Sequence, residues 1–546
     1  MLYNSYEFIF LFLPITLVIF YKLGEKRHHK IALVWLIIAS FFFYGRWNPA
    51  YLMFLLGSLT VNYSLGRIIN NKVETLLAKN LVINDRFYLI LGIVFNLGLL
   101  AYFKYANFFI ESINGLVGSN WTLKNLILPL GISFITFEQV AYLVDTYKGK
   151  IKDHDLIHYC LFISFFPQLI SGPIVRYKEL SPQLKSPKIF RFDYEDFSVG
   201  LTIFSIGLFK KVIIADNLTP HVSLIYGAIN QDIHLSFVEA WTGILAHTLR
   251  LYFDFSGYSD MAIGVARMFG IKLPLNFDSP YKTTNISQFW SHWHMTLTRF
   301  FRDYLYLPLS RCLKTWPLGK GQIAQQRATA FNAFIGLGIT GLWHGAGWNF
   351  LAWGGLHGIY FIVYQQWRDF LKSKGNNLKD SPWWSQLISW FLTFSAWMFA
   401  LVLTRTETMS QTLSMWHSML GLNGISLPSS LEKDFNFLGN FGFKFSGLMP
   451  NFIYNNLNPS EIFQLLQLIM ILLIVVLFTP NTQQWMGQYK PAIDYYAGRI
   501  KKQWKANIWK RLQWKPSSIF AFISFSLLAI SLFSLNQEQP FIYFQY

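Results

Sequence analysis

Residues Phe8–Phe20 read FIFLFLPITLVIF, thirteen positions without a charge and with Tyr6 and Tyr21 at their flanks. A bilayer core takes about 20 apolar residues in helical form. Comparable runs recur at Leu33–Tyr44, Phe87–Phe103, Leu161–Ile174, Leu387–Leu403, Phe463–Phe478 and Ile519–Phe533. The 546 residues are 53% hydrophobic, 18% aromatic and 14% charged, with a mean hydropathy of +0.31. A soluble chain carries about 25% charged residues. The composition therefore describes a polytopic membrane protein. In lipid the backbone must satisfy its own hydrogen bonds, so the fold is all-α. No small-residue cleavage site follows the first run, which is expected to be a retained span.

Loop charge gives a topology. The first loop, Lys22–Lys30, reads KLGEKRHHK and is assigned to the cytoplasm, which places the N-terminus outside. Basic connections follow at Lys148–Lys152, Arg176–Arg191, Arg299–Arg327, Arg368–Lys379 and Lys490–Lys515, the last with eight Lys/Arg against Asp494. Arg405–Ser460 balances three basic with three acidic residues and is expected to be an external insertion, with the C-terminus external as well. The count comes to about eleven transmembrane helices plus re-entrant or interfacial helices. Trp241–Pro308 looks too punctuated to span and is the expected re-entrant region. The formal charge of +18 sits in these short loops, so it reads as membrane orientation and excludes a nucleic-acid role. Cys160 and Cys312 lack metal or disulfide spacing.

Ionisable residues at membrane depth are the natural functional candidates. His344 lies in GITGLWHGAGWNF, among glycines at 336, 338, 341, 345 and 347. His294 lies in FWSHWHMTL; His292 is two positions away, about 200° round a helix, so only one of the two is expected to face inward. Arg299, Arg302 and Asp303 follow at i, i+3, i+4 spacing, which suits either a solvated basic edge or an anion-binding rim for substrate. His357, in WGGLHGIY, lies thirteen residues after His344, about 220° round a continuous helix. For want of a same-face partner it reads first as a packed, hydrogen-bonded histidine, with substrate binding as the alternative. Asp254, Asp260 and Arg267 read as a structural charge network. No HExxH, GxSxG, Walker loop or dinucleotide fingerprint occurs, so neither a metal site nor a bound cofactor is expected. What remains is a membrane enzyme whose chemistry rests on histidine, a general base suited to a hydroxyl attacking an acyl ester.

QLISGPIVRY, YFDFSGYSDMAIGVARMFGI, FWSHWHMTLTRFFRDYLYLPL and GLWHGAGWNFLAWGGLHG, together spanning residues 165–358, resemble the membrane-bound O-acyltransferases, in particular the bacterial alginate O-acetylation branch. FIFLFLPITLVIFY near the start and FIYFQY at the end extend the likeness over nearly the whole chain, with Ser291-His292 standing where similar chains often carry two arginines. The resemblance implies one membrane domain, 1–546, shaped as a funnel with a thin centre, in a bacterial inner membrane. It implies His344 as the central catalytic histidine and His294 as the second catalytic position. It further implies acyl transfer from cytoplasmic acetyl-CoA, as donor substrate, toward an exopolysaccharide or cell-wall glycan such as alginate. The final O-acetylation would fall to an external serine-type, SGNH-like acetyltransferase partner. On an external C-terminus, the phenol of Tyr546 or Tyr543 is a candidate acyl relay, against the plainer role of interface anchor. Competing readings are D-alanyl transfer to a cell-wall polymer, a non-enzymatic transporter, and a scaffold for the external enzyme.

Overall fold

The computed structural model describes residues 1–70, 85–122, 128–313, 321–375, 381–427, 432, 436–445, 459–493, 512–535 and 541. Regular structure there is helical apart from Ile425–Ser426, which pairs parallel with Phe443–Lys444 inside the segment read as an insertion. The chain is a helical integral membrane protein. Among the described residues, five helices have the length and composition to cross a bilayer: Glu7–Glu25, Pro49–Asn70, Asp85–Val117, Tyr194–Asn230 and Trp383–Val402. His29–Gly45, Gln464–Phe478 and Ser518–Phe533 are shorter apolar helices.

Two expectations need correction. Leu161–Ile174 is not one span: it forms helices Leu156–Ser164 and Phe166–Leu169, broken at Phe165. Pro167 has no N–H for the carbonyl four residues back, and its ring would clash there, so the first helix cannot run through. The Phe166 N–H instead donates to Ser40 Oγ at 3.2 Å. The region around Trp241–Pro308, in turn, begins with a single 32-residue helix, Phe237–Met268. Its charged residues depress hydropathy without breaking the helix, because Glu239, Asp254, Asp260 and Arg267 are buried against partners.

The chain divides into two compact units. The first comprises Met1–Phe209, Ser256–Asn276 and Thr482–Gln545. Within it, helix Tyr194–Phe209 lies against Ser256–Met268 at reciprocal glycines. A Cβ at Gly200 would meet the Gly264 carbonyl at 2.6 Å, and one at Gly207 the Gly257 carbonyl at 2.6 Å. Only glycines permit this approach. Asp260 accepts from Thr482 Oγ1 at 2.7 Å and from Gln483 Nε2 at 3.0 Å, and Arg267 pairs with Asp196 at 2.5 Å. Elsewhere in this unit the buried amides of Asn62 and Asn96 donate to each other at 3.1 and 2.6 Å, joining two apolar helices. Glu138, equally buried, accepts from the Val175 N–H at 3.3 Å just after Gly172-Pro173.

The second unit comprises Lys210–Phe255 and Phe277–Asn481. Lys211 begins there in a π-helical turn, Lys210–Ala215, and its ammonium lies 2.7 Å from Asp216 and 2.8 Å from Asp254. Removing one partner of a buried charge group costs about 3–5 kcal/mol, because the remaining charge is uncompensated. Lys211→Met is therefore expected to lower unfolding stability in detergent by about that amount; a denaturation midpoint equal to wild type would refute the triad as a structural element.

Candidate active site

The site is built from the second unit. Helix Gly321–His344 ends at the candidate histidine, and Trp348–Ser373 starts after the break Gly345–Gly347. The two helices approach through glycines: a Cβ at Gly341 would meet the Gly354 nitrogen at 2.9 Å, and one at Gly358 the Phe334 Cα at 2.9 Å. His344 is thus held on the last turn of a rigid helix, half-buried at the break. The continuous-helix arithmetic for His344 and His357 does not apply, since glycines separate them onto different helices. Both instead pack against one ring: Trp353 lies 5.0 Å from His344 and 4.7 Å from His357, nearly edge-on to each.

His294 is fully buried and sits at φ 41°, ψ 54°, in the left-handed region, as the residue that starts helix Met295–Phe301. Such a conformation is uncommon for a side chain as large as histidine, costs about 1–3 kcal/mol and persists only where its surroundings impose it. Here they do. Asn285 Oδ1 caps helix Ile286–Trp290 by accepting from the Gln288 N–H at 2.8 Å. Phe289 and Trp293 pack on Trp397 at 4.3 and 5.0 Å, and Asp278 N–H donates to the His292 carbonyl at 3.0 Å. The His294 ring meets Phe255 edge-on at 4.7 Å. His292 is buried too, 3.7 Å from Asp278. The expectation that only one of this pair faces inward fails because the chain turns between Trp290 and Met295 rather than continuing as a helix.

The rings run in sequence. Trp343 lies 6.1 Å from His294 and 4.8 Å from His344; Trp353 then leads on to His357. The structure so brings His294, His344 and His357 into one aromatic row, with only His344 partly exposed. Arg299, Arg302 and Asp303 are not presented as one helical face. Arg299 is buried, whereas Arg302 is more than half exposed and pairs with adjacent Asp303 at 2.8 Å in the π-helical turn Arg302–Tyr306. Tyr543 and Tyr546 lie outside the described residues.

The sequence that carries this row is similar to known proteins. The profile of the membrane-bound O-acyltransferase family matches residues 87–404, more than half of the chain, and every ring of the row falls inside it. The chain belongs to that family. A peptidoglycan O-acetyltransferase of Helicobacter pylori is 38% identical over 453 residues, covering 78% of this chain and 81% of that protein. A probable alginate O-acetylase of Pseudomonas aeruginosa is 36% identical over 425 residues, covering 77% and 75%. A teichoic acid D-alanyltransferase of Bacillus subtilis is 30% identical over 275 residues, covering 50% and 67%. As a member of the O-acyltransferase family, this protein is an acyltransferase.

Sequence reasoning passed over the tryptophans that set the histidines in place, although a signal existed: Trp293 and Trp343 each precede a candidate histidine, and Trp353 stands four residues before His357. It also passed over Glu138, in the stretch ISFITFEQVAYLV, and Lys211, in the Lys210-Lys211 pair between two apolar runs. His294→Asn is a clean test of this candidate site, since asparagine tolerates the left-handed backbone. Folded yield is expected near wild type, with acyl transfer reduced about 100-fold or more, as for loss of a group that stabilises the developing charge on the acyl carbonyl. Transfer at the wild-type rate would remove His294 from the active site.

Proposed function

We propose that this O-acyltransferase moves acetyl groups from cytoplasmic acetyl-CoA to an acceptor on the external face of a bacterial inner membrane. The observation that carries this reading is His344: a half-buried imidazole at a helix end, between two tryptophans and in one row with buried His294. His344 takes the proton from the attacking hydroxyl. The oxygen then attacks the thioester carbonyl, the C–S bond breaks, and the proton passes to the departing thiolate. His294, fixed by its backbone, orients His344 or polarises the acyl carbonyl. Arg299 and Arg302 serve the anionic part of the donor.

In this proposal about eleven spans carry the chain, with both termini external. The acetyl group is passed on to an external serine-type, SGNH-like acetyltransferase, which O-acetylates an exopolysaccharide or cell-wall glycan. Tyr546 is the acyl relay, its phenol oxygen forming the ester that the partner then cleaves. Phe541, five residues upstream, is buried and stacked on Tyr258 at 4.5 Å, and Tyr258 on Tyr3 at 5.0 Å, which tethers the start of that tail. Acetyl is favoured over D-alanyl transfer because the two relatives named for O-acetylation align over more than three quarters of the chain, and the D-alanyltransferase over half.

The test uses purified protein in proteoliposomes with labelled acetyl-CoA. Wild type is expected to release CoA and place label on itself or on an added external partner. His344→Ala is expected to lose about 100- to 10,000-fold of that rate. Wild-type protein that turns over D-alanyl carrier but not acetyl-CoA would overturn the acetyl reading, and equal rates in the variant would overturn the role of His344.

A further inference from the structure

His357 is fully buried, and neither of its ring nitrogens has a hydrogen-bond partner among the described residues. Three indoles surround it: Trp353 at 4.7 Å, Trp290 at 5.1 Å and Trp397 at 5.6 Å, all buried. The indoles also touch one another, Trp290 lying 5.6 Å from Trp353 and 6.0 Å from Trp397. Each of the three indole N–H groups is buried and likewise without a partner among the described residues. Five polar ring nitrogens are therefore unsatisfied within one cluster of four rings.

Buried polar groups are ordinarily bonded, and leaving one unmade is costly. The same unit shows the ordinary solution. Trp241, Trp390 and Trp416 donate to the carbonyls of Met419, Tyr281 and Phe399 at 2.8–2.9 Å. His247 in the same unit also has ring nitrogens without a partner among the described residues, but Trp290, Trp353, His357 and Trp397 gather five of them in one cluster, which shares Trp353 with His344. Such a cluster wants an occupant that brings a hydrogen-bond acceptor and has a small apolar body to lie against the rings.

We infer that Trp290, Trp353, His357 and Trp397 form the pocket for the acyl group of the donor, taking a small uncharged acyl group by its carbonyl oxygen and rejecting one that carries an ammonium. This rests on the reading of His344 as the centre of acyl transfer. The N–H groups of the cluster donate to the carbonyl, and the ring walls take the methyl. An aminoacyl group would bring further donors among donors, and none of the four residues is a carboxylate to receive its charge. Selectivity of this kind comes from polar groups left unpaired with the wrong substrate. His357 and the three tryptophans are binding residues here; no bond is made or broken on them.

Two readouts test the pocket in the full-length protein in proteoliposomes. In the first, kcat/KM is measured with acetyl-CoA and with alanyl-CoA for wild type, His357→Phe and Trp353→Phe. Each variant keeps a ring and removes nitrogen, and each is checked for folding by its melting transition. His357→Phe is expected to lower kcat/KM for acetyl-CoA about tenfold and to narrow the acetyl-to-alanyl ratio about fivefold or more. In the second, the His344→Ala protein binds acetyl-CoA labelled with carbon-13 at the carbonyl. The carbonyl stretch, read by isotope-edited infrared difference spectroscopy, is expected to fall on binding and to return toward its solution value when His357→Phe or Trp353→Phe is added. An unchanged ratio with an unshifted stretch overturns the pocket, as does an equal loss for both donors, which is the mark of a structural or merely hydrated cluster. Wild type that transfers neither group overturns the donor reading instead, and the infrared shift still decides the pocket because it needs no turnover.

Discussion

A polar side chain on an apolar helix has to find its partner within the protein, since lipid supplies none. That constraint organises this chain. Lys211 with Asp216 and Asp254, Asp260 with Thr482 and Gln483, and the reciprocal amides of Asn62 and Asn96 are its solutions. Asp260 and Thr482 are 222 residues apart in sequence, so the bond fixes which distant segment lies beside the helix. Buried charge pairs contribute less to stability than their geometry suggests, but each fails badly when half of it is missing. Their role here is to make wrong packings costly.

The histidine row is built on a different rule. Its rings are spaced largely by edge-to-face contacts, which set the plane of an imidazole independently of any hydrogen bond its nitrogens make. Trp343 and Trp353 on either side of His344, and Phe255 against His294, fix ring planes in this way. The glycines that draw the two helices together near Gly341 and Gly354 supply the rigidity that the row needs. Sites on helices are placed more finely than sites on loops, and His344 sits where one helix has just ended and the next begins.

Much of this was legible in the sequence. The long apolar runs announced the membrane class, and the WH and LHG contexts singled out all three histidines of the row. What failed was arithmetic that assumes unbroken α-helix. Gly345–Gly347 interrupts the phase between His344 and His357, and the turn before Met295 lets His292 and His294 both face inward. The π-helical turn at Arg302–Tyr306 has no signature in composition and separates Arg299 from Arg302 and Asp303. Hydropathy also hid the helix Phe237–Met268, because it charges each polar residue for solvent that a partnered side chain never needs, whereas the candidate span Tyr194–Asn230, with a mean hydropathy of 1.8, was legible and passed over. Partners distant in sequence are invisible to a window that slides along it.

The left-handed backbone of His294 reaches beyond chemistry into how this position can change under selection. A residue held in a conformation that glycine adopts freely opposes stability to activity at a single codon. Selection for folded protein alone favours glycine there, whereas under the proposed role selection for the imidazole keeps the strained residue and requires the rest of the scaffold to absorb it. A library screened first for expression would for that reason lose its most informative members at position 294, and the order of the two screens would decide what was recovered.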